Sequence, residues 1–355
     1  MTGQAHPKSG ADAGLFLELT PEAVLEAVEA AGLRCNPVCY PLNSFENRVY
    51  EVELEDRSRI IAKFYRPGRW SEEQILEEHR FIEELVEEEI PACPVRRFPD
   101  GSTLKRQRGI AYSLAERRGG RAPDELSPEG AARLGRFVGR MHVVSARREA
   151  PSRLRLNADT YLRENLRWLE QQRVLPKHLQ ARYGSAAREL ADLCDLHFEG
   201  LETFRLHGDL HLGNVLDRGG ELNVLDFDDL CIGSAVQDLW LALPGRDDHT
   251  RRLREDFLEG YETFRPFDRS TLRLVELFRA LRLVHYATWL ARRWHDPIFP
   301  ANWPHFGTEA YWLQETAYLE EQLRLAREDL APRAPAAQPE PLLSNKDYFW
   351  DWEGD

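Results

Sequence analysis

The sequence predicts an α+β chain in two lobes, a small β-rich lobe followed by a larger helical one. Three observations carry this expectation. Two runs rich in β-branched and aromatic residues, 47–54 and 59–65, flank the turn "EDRS" near the start of the chain. From about residue 118 onward, apolar residues recur mostly at helical spacing. One strand-rich island, 204–230, interrupts that helical pattern. At 355 residues, with 42% hydrophobic and 30% charged, the chain is long and apolar enough for two lobes.

Taken in order, residues 1–14 are polar and expected to be disordered. "LTPEAVLEAVEAAGL" reads as a helix, with Thr20 as cap, Pro21 in the first turn and Gly32 as the stop. The 47–54/59–65 hairpin follows, and "RPGRW" breaks the chain after it. The next helix opens with a capping box, Ser71 with Gln74, and carries Ile75, His79, Ile82, Leu85 and Val86 at helical spacing. Strands are expected near 103–107 and 110–116. Helices are expected at 128–147, 157–172, 177–201, 236–243, 248–264, 268–294 and 308–329. The Pro/Ala-rich stretch 331–355 reads as a disordered tail. The expected division is therefore a first lobe at 15–117 and a second at 118–330.

A net charge of −13 argues against nucleic acid or an anionic membrane surface as a partner, since both reward a basic face. No run approaches the roughly 18 apolar residues of a membrane span, and "MTGQAHPKSGADAG" has no apolar leader. Five sparse cysteines do not form a disulfide framework, and Cys35 with Cys39 lacks a second pair at zinc spacing. A cytoplasmic location is expected.

The chemistry-bearing residues gather in and around the island. "LHGDLHLGN" holds Asp209 and Asn214, and Asp226 follows in "VLDFDD", 17 residues after Asp209. "NVLD", "RGGE" and "LNVLD" read as strand, turn, strand, which sets Asn214 beside Asp226. An amide oxygen and a carboxylate are hard ligands suited to Mg²⁺ shared with nucleotide phosphates. Asp209 in the same cleft is placed to take a proton from an incoming hydroxyl, the arrangement of phosphoryl transfer. Upstream, Lys63 lies in the apolar strand "IIAKFY" and needs an anionic partner. Glu77 and Glu78, on the next helix, are the candidates.

Several neighbours admit plainer readings. His207 and His211 form an H-x₃-H pair, but Gly208 and Gly213 argue against the helix that a zinc site would need. His207 reads as scaffold, and His211 as either loop support or a phosphate neighbour. Asp228 and Asp229 read as a hydrogen-bonded loop, with a second metal as the alternative. Asp238 reads as a helix cap that braces the loop. In "LFRALRLVHYATWLARRW", Leu277, Leu281, Val284 and Thr288 read as core. Arg279, Arg282, Tyr286, Trp289 and Arg293 are candidates to line the acceptor cleft.

"HGDLHLGN…LDFDD" resembles the catalytic segment of the aminoglycoside-phosphotransferase-like kinases, which have a two-lobed protein-kinase-like fold. The longer strings "PLNSFENRVYEVE", "AKFYRPGRW", "ILEEHRF", "LRLVHYATWLARRW" and "DPIFPANWP" are similar to one branch, the stress response kinase A family of bacterial serine/threonine protein kinases. The resemblance spans about residues 20–325. It implies Asp209 as catalytic base, Asp226 as a second catalytic residue, and Asn214 with Asp226 as Mg²⁺ ligands. It also implies Lys63 on the ATP phosphates with Glu78 as its helix partner, Ser44 contacting ATP from the loop "NSFEN", and residues 115–117 holding the adenine. The implied activity is ATP- and Mg²⁺-dependent phosphorylation of protein Ser/Thr hydroxyls, with autophosphorylation, in a stress response and as a monomer. Two other readings remain: a kinase of a small amino alcohol, sugar or aminoglycoside, and a pseudokinase adaptor. "NSFEN" lacks the glycines of the protein-kinase loop, and His211 stands where those kinases usually carry a phosphate-contacting lysine.

Overall fold

The structure is a computed structural model that describes Phe16 and residues 19–331. The expectations of disorder at 1–14 and along the tail after Ala331 lie outside those residues.

Helix α1 (Pro21–Glu29) starts where Thr20 Oγ1 accepts from the Ala23 amide at 3.3 Å, and it buries Ala23, Val24, Ala27 and Val28. That face lies on an antiparallel sheet of β1 (Cys35–Pro41), β2 (Arg48–Leu54), β3 (Arg59–Phe64), β4 (Lys105–Gln107) and β5 (Ile110–Glu116), ordered β1-β2-β3-β5-β4. Edge strand β1 is absent from the expectations above. Its two prolines and the bulge between Cys35 and Cys39 erase the alternation that would announce it. All five cysteines are free thiols. Strand β3 is central, between β2 and β5. Its period of two sends Ile60, Ala62 and Phe64 into the small core, and Ile61 and Lys63 toward the cleft.

Helix α2 (Glu72–Glu87) carries the expected capping box. Its apolar face departs from a simple division of lobes, because Phe81, Ile82 and Leu85 join the larger core rather than the sheet's own. Phe81 meets Phe227 edge-on at 5.7 Å. The helix that bears Glu78 is thus fixed against the segment that bears Asp226.

The larger lobe contains α3 (Pro128–Ser145), α4 (Glu164–Gln171), α5 (Lys177–Phe198), β6 (Phe204–Leu206), β7 (Val215–Arg218), β8 (Glu221–Val224) and β9 (Cys231–Gly233). It continues through α6 (Val236–Ala242), α7 (Asp248–Glu262), α8 (Val275–Arg293), α9 (Ile298–Asn302) and α10 (Glu309–Leu330). The expected helix 268–294 begins instead with a 3₁₀ stretch, Arg269–Leu274, after Asp268 caps the Ser270 amide at 3.0 Å. The expected helix 157–172 opens with a π turn, Asp159–Arg163. Helices α3 and α7 touch backbone to backbone, since a Cβ on Gly135 would collide with the Phe257 carbonyl. Among the described residues, no helix is long and apolar enough to cross a membrane.

Candidate active site

A cavity of about 840 Å³ lies between the sheet and the helical lobe. Loop 42–47, β2, β3, α2, the segments 208–214 and 224–229, and α8 all line it.

Strand β3 delivers Lys63 Nζ to within 3.1 Å of three carboxylates: Glu78 Oε1, Asp226 Oδ1 and Asp228 Oδ1. Burial works against the ammonium, but Asp228, Glu78 and Asp226 outweigh it and hold Lys63 protonated well above its ordinary range. Burial lifts the Glu78 carboxyl to about 7 despite Lys63, with Asp228 adding to the lift. Glu77 is turned elsewhere, accepting from the Ser152 amide at 3.3 Å. Of the two expected candidates, Glu78 is therefore the one that meets Lys63.

The β7–β8 hairpin forms as expected, and the Leu225 amide donates to the Asn214 carbonyl at 2.9 Å, which sets Asn214 beside Asp226. Asp226 has left-handed backbone angles, φ 60° and ψ 63°. For a residue other than glycine this strain costs about 1–3 kcal/mol, and it turns a side chain that is 52% exposed into the cavity. The Asn214 side-chain amide donates to the Asp209 carbonyl at 2.9 Å, leaving its oxygen as a hard acceptor.

The loop before Asn214 hangs on buried Asp238. Its two carboxylate oxygens accept from the His207 and Gly208 amides, each at 2.9 Å, and His142 Nε2 lies 3.1 Å from Oδ2. Asp238 makes no capping bond to its own helix, so it braces without capping. Gly208 has φ +84°, and a Cβ there would collide with the Asp229 carbonyl oxygen, which explains a glycine in "HGD". His207 Nδ1 accepts from the Asp209 amide at 3.3 Å, so Nε2 carries the proton and donates to the Leu225 carbonyl at 2.8 Å. Both ring nitrogens are used in scaffolding.

The Asp209 carboxylate faces Arg282 Nη1 at 2.7 Å and His211 Nε2 at 3.5 Å. Burial resists its ionisation, but Arg282, His211 and His207 outweigh burial and hold it below its ordinary range. Asp228 and Asp229 are tied into the loop by Arg69, at 2.5 Å each. Ser44 lines the cavity from loop 42–47, as do Ala115 and Arg117 at the end of β5.

The acceptor-side expectation needs correcting. Arg282, Tyr286 and Trp289 line the cavity, whereas Arg279 and Arg293 do not. Arg279 bonds the Pro244 carbonyl at 2.8 Å and stacks on Trp240. Arg293 is spent on Glu46, at 2.6 Å.

Sequence reasoning missed that Glu46 site altogether. Besides Arg293, Glu46 meets Arg66 at 3.0 Å and Arg69 at 3.6 Å, and it accepts from Trp289 Nε1 at 2.5 Å. Asp296 pairs with Arg48 at 3.1 Å and with Arg66 at 2.9 Å. Burial disfavours the Glu46 charge, yet Arg69, Arg293 and Arg66 hold the carboxyl down at about 2. The one sequence signal was the pair of arginines in "RPGRW", read only as a chain break.

Among the described residues, no group of three or more His, Cys, Asp or Glu is arranged to hold a metal ion. Asn214 and Asp226 offer two hard oxygens, the donor set of a Mg²⁺ site completed by phosphates. Three carboxylates against one lysine leave negative charge for such an ion to neutralise.

Known proteins resemble this chain in sequence and in fold. The model of the phosphotransferase enzyme family matches residues 39–275. Stress response kinase A of Escherichia coli is 40% identical over 314 residues, covering 88% of this chain and 95% of that protein. The serine/threonine protein kinase RdoA of Salmonella typhimurium is 38% identical over the same length and coverage. Among solved structures, an amicoumacin kinase in complex with AMP-PNP, Ca²⁺ and Ami superposes with a TM-score of 0.70 at 22% identity, over 89% of this chain and 96% of that one. A microcompartment-associated aminopropanol kinase does so with a TM-score of 0.65 at 21% identity, over 86% of this chain and 97% of that one.

Proposed function

The chain belongs to the phosphotransferase enzyme family, in its stress response kinase A branch, and from that premise we propose that it transfers the γ-phosphoryl group of ATP to serine and threonine hydroxyls of proteins, itself included. The observation that carries the reading is one cavity holding Lys63 paired with Glu78, the Asn214/Asp226 oxygens and the Asp209 carboxylate.

Lys63, fixed by Glu78, orients the ATP phosphates, and Ser44 adds a hydroxyl contact where protein kinases use glycine amides. Residues 115–117 take the adenine. Asn214 and Asp226 are the side chains that hold Mg²⁺, which when bound neutralises charge on the phosphates. Asp209 orients the acceptor hydroxyl. As the acceptor oxygen bonds to the γ-phosphorus, the bond to the bridging oxygen of ADP breaks, and the hydroxyl proton passes to Asp209 and then to solvent. The division of labour follows the chain: 15–117 binds nucleotide and 118–330 supplies the catalytic and acceptor groups.

A protein acceptor is supported by relatives of near-equal length named as stress response and serine/threonine protein kinases. The names of those relatives support a role in stress, and a reducing cytoplasm suits its five free thiols. The competing reading, a small-molecule kinase, has its support in the fold neighbours. Labelled ATP with Mg²⁺, offered to the enzyme alone, to a generic protein and to a small hydroxylated amine, separates the two. Label on the chain or on the protein is expected. Label on the amine alone overturns the protein-kinase reading, and nucleotide binding without transfer to any of them supports an adaptor.

A further inference from the structure

Each carboxylate that lines the cavity lies against a cation of the chain, although around Lys63 the carboxylates outnumber the cations. The four carboxylates around Lys63 and Arg69 are paired there. Glu46 is held by arginines of the Arg66–Arg69 segment and α8, and Glu51 by Arg59 and Arg117. That leaves Asp209, whose Oδ1 is 2.7 Å from Arg282 Nη1. An acceptor bearing an ammonium group therefore meets no unpaired carboxylate next to the base.

The aromatic side chains on the acceptor side are packed on one another. Tyr286 stacks on Trp289 at 5.5 Å, and the Arg293 guanidinium lies 5.3 Å from the same ring. Phe299 stacks on Trp303 at 5.4 Å. A cation needs the open face of a ring; Trp289 already meets a ring and a guanidinium, and Tyr286, packed on Trp289, keeps 39% of its surface exposed.

What the acceptor side presents instead is the guanidinium of Arg282, 39% exposed, beside the His211 ring. A guanidinium has five N–H donors in a fixed fork, and one contact with Asp209 leaves several of them for a second anion. We propose that Arg282 is a specificity-determining residue that selects a Ser or Thr hydroxyl flanked by an acidic side chain and disfavours ammonium-bearing acceptors. At rest Arg282 is paired with Asp209. An acidic group beside the acceptor hydroxyl draws the guanidinium to itself, and Asp209 exchanges its ion pair for the hydroxyl. This rests on the phosphoryl-transfer reading above and narrows its substrate class.

The test is kcat/KM of the full chain with Mg-ATP on four acceptors: one Ser peptide flanked by Glu, the same peptide flanked by Gln, the same flanked by Lys, and ethanolamine. The Glu peptide is expected to lead the Gln peptide by about tenfold, with the Lys peptide and ethanolamine last. Arg282→Gln should flatten the ranking, and Arg282→Glu should invert it in favour of Lys. Melting temperature with and without Mg-ATP shows that each variant folds and binds nucleotide, a check the ranking itself does not depend on. A wild-type enzyme that prefers the Lys peptide or ethanolamine overturns the proposal while leaving phosphoryl transfer standing. So does an Arg282→Glu variant that keeps the acidic preference. Transfer to none of the four with Mg-ATP bound overturns the kinase reading, and this proposal with it.

Discussion

Two charge clusters line the same cleft with opposite arithmetic. At Lys63 one ammonium faces the carboxylates of Glu78, Asp226 and Asp228. At Glu46 one carboxylate faces the guanidiniums of Arg66, Arg69 and Arg293. The first is short of positive charge and includes the half-exposed Asp226, so it is poised for an added cation. The second is buried and complete, because Asp296 and Asp229 share its surplus arginines. The difference separates a cluster with charge to spare for a ligand from a fastening that holds. The two are joined in one line of alternating sign, Asp296–Arg66–Glu46–Arg69–Asp228–Lys63–Glu78, whose links run from 2.5 to 3.6 Å. Loop 42–47, which carries Glu46, is thereby tied to Lys63, and Arg293 ties it to α8 as well.

Changes that break the working cluster should have the largest effects on rate. Asp209→Ala and Asp226→Ala should each lower phosphoryl transfer by about 10³-fold or more. Asp226→Ala should also abolish the rise in melting temperature on adding Mg-ATP, which Asp209→Ala should keep. Lys63→Met should cost on the order of 10²-fold in kcat/KM for ATP. It also takes Lys63 from three carboxylates, with Asp228 still held by Arg69, so Mg²⁺ alone should raise its melting temperature more than it raises that of the wild type.

The fastening should break differently. Glu46→Gln takes the carboxylate from buried Arg293 and should cost about 3–5 kcal/mol of stability in denaturant titration, with a raised KM for ATP but measurable turnover. Its pH dependence follows from the depressed carboxyl. With a folded value of about 2 against an ordinary 4.5, the Glu46 contribution is fully present above about pH 4.5 and is lost as pH falls through about 2. The variant should lack that part of the acid-side loss. The smallest effect belongs to Ser44→Ala, a rise of a few-fold in KM for ATP, the scale of one hydrogen bond of about 1 kcal/mol.

The same contrast explains what the sequence made legible. Lys63, Asp209, Asn214 and Asp226 each sit in a short string whose pattern marks strand, loop or turn, and the structure brings all four to one cavity. Lobe order was legible because period-two and helical spacing are local. The Glu46 fastening was not, because Glu46 and Arg293 are 247 residues apart and an ion pair at that distance leaves no local pattern. Strand β1 was hidden by its prolines. On α8, helical spacing alone could not separate Arg282 from Arg279. Three residues apart, one reaches Asp209 and the other turns to the Pro244 carbonyl, a choice made by packing against Trp240.

The central claim, that this cleft moves phosphate from ATP to protein hydroxyls through Asp209, is tested most directly by phosphopeptide mass spectrometry. The purified chain and its Asp209→Ala variant are each incubated with Mg-ATP and a cell extract. The account predicts phosphoserine or phosphothreonine on the wild-type chain and on extract proteins, and its loss in the variant. Equal phosphorylation by the variant, or no phosphorylated protein from an enzyme that still consumes ATP on a small hydroxylated amine, would contradict it.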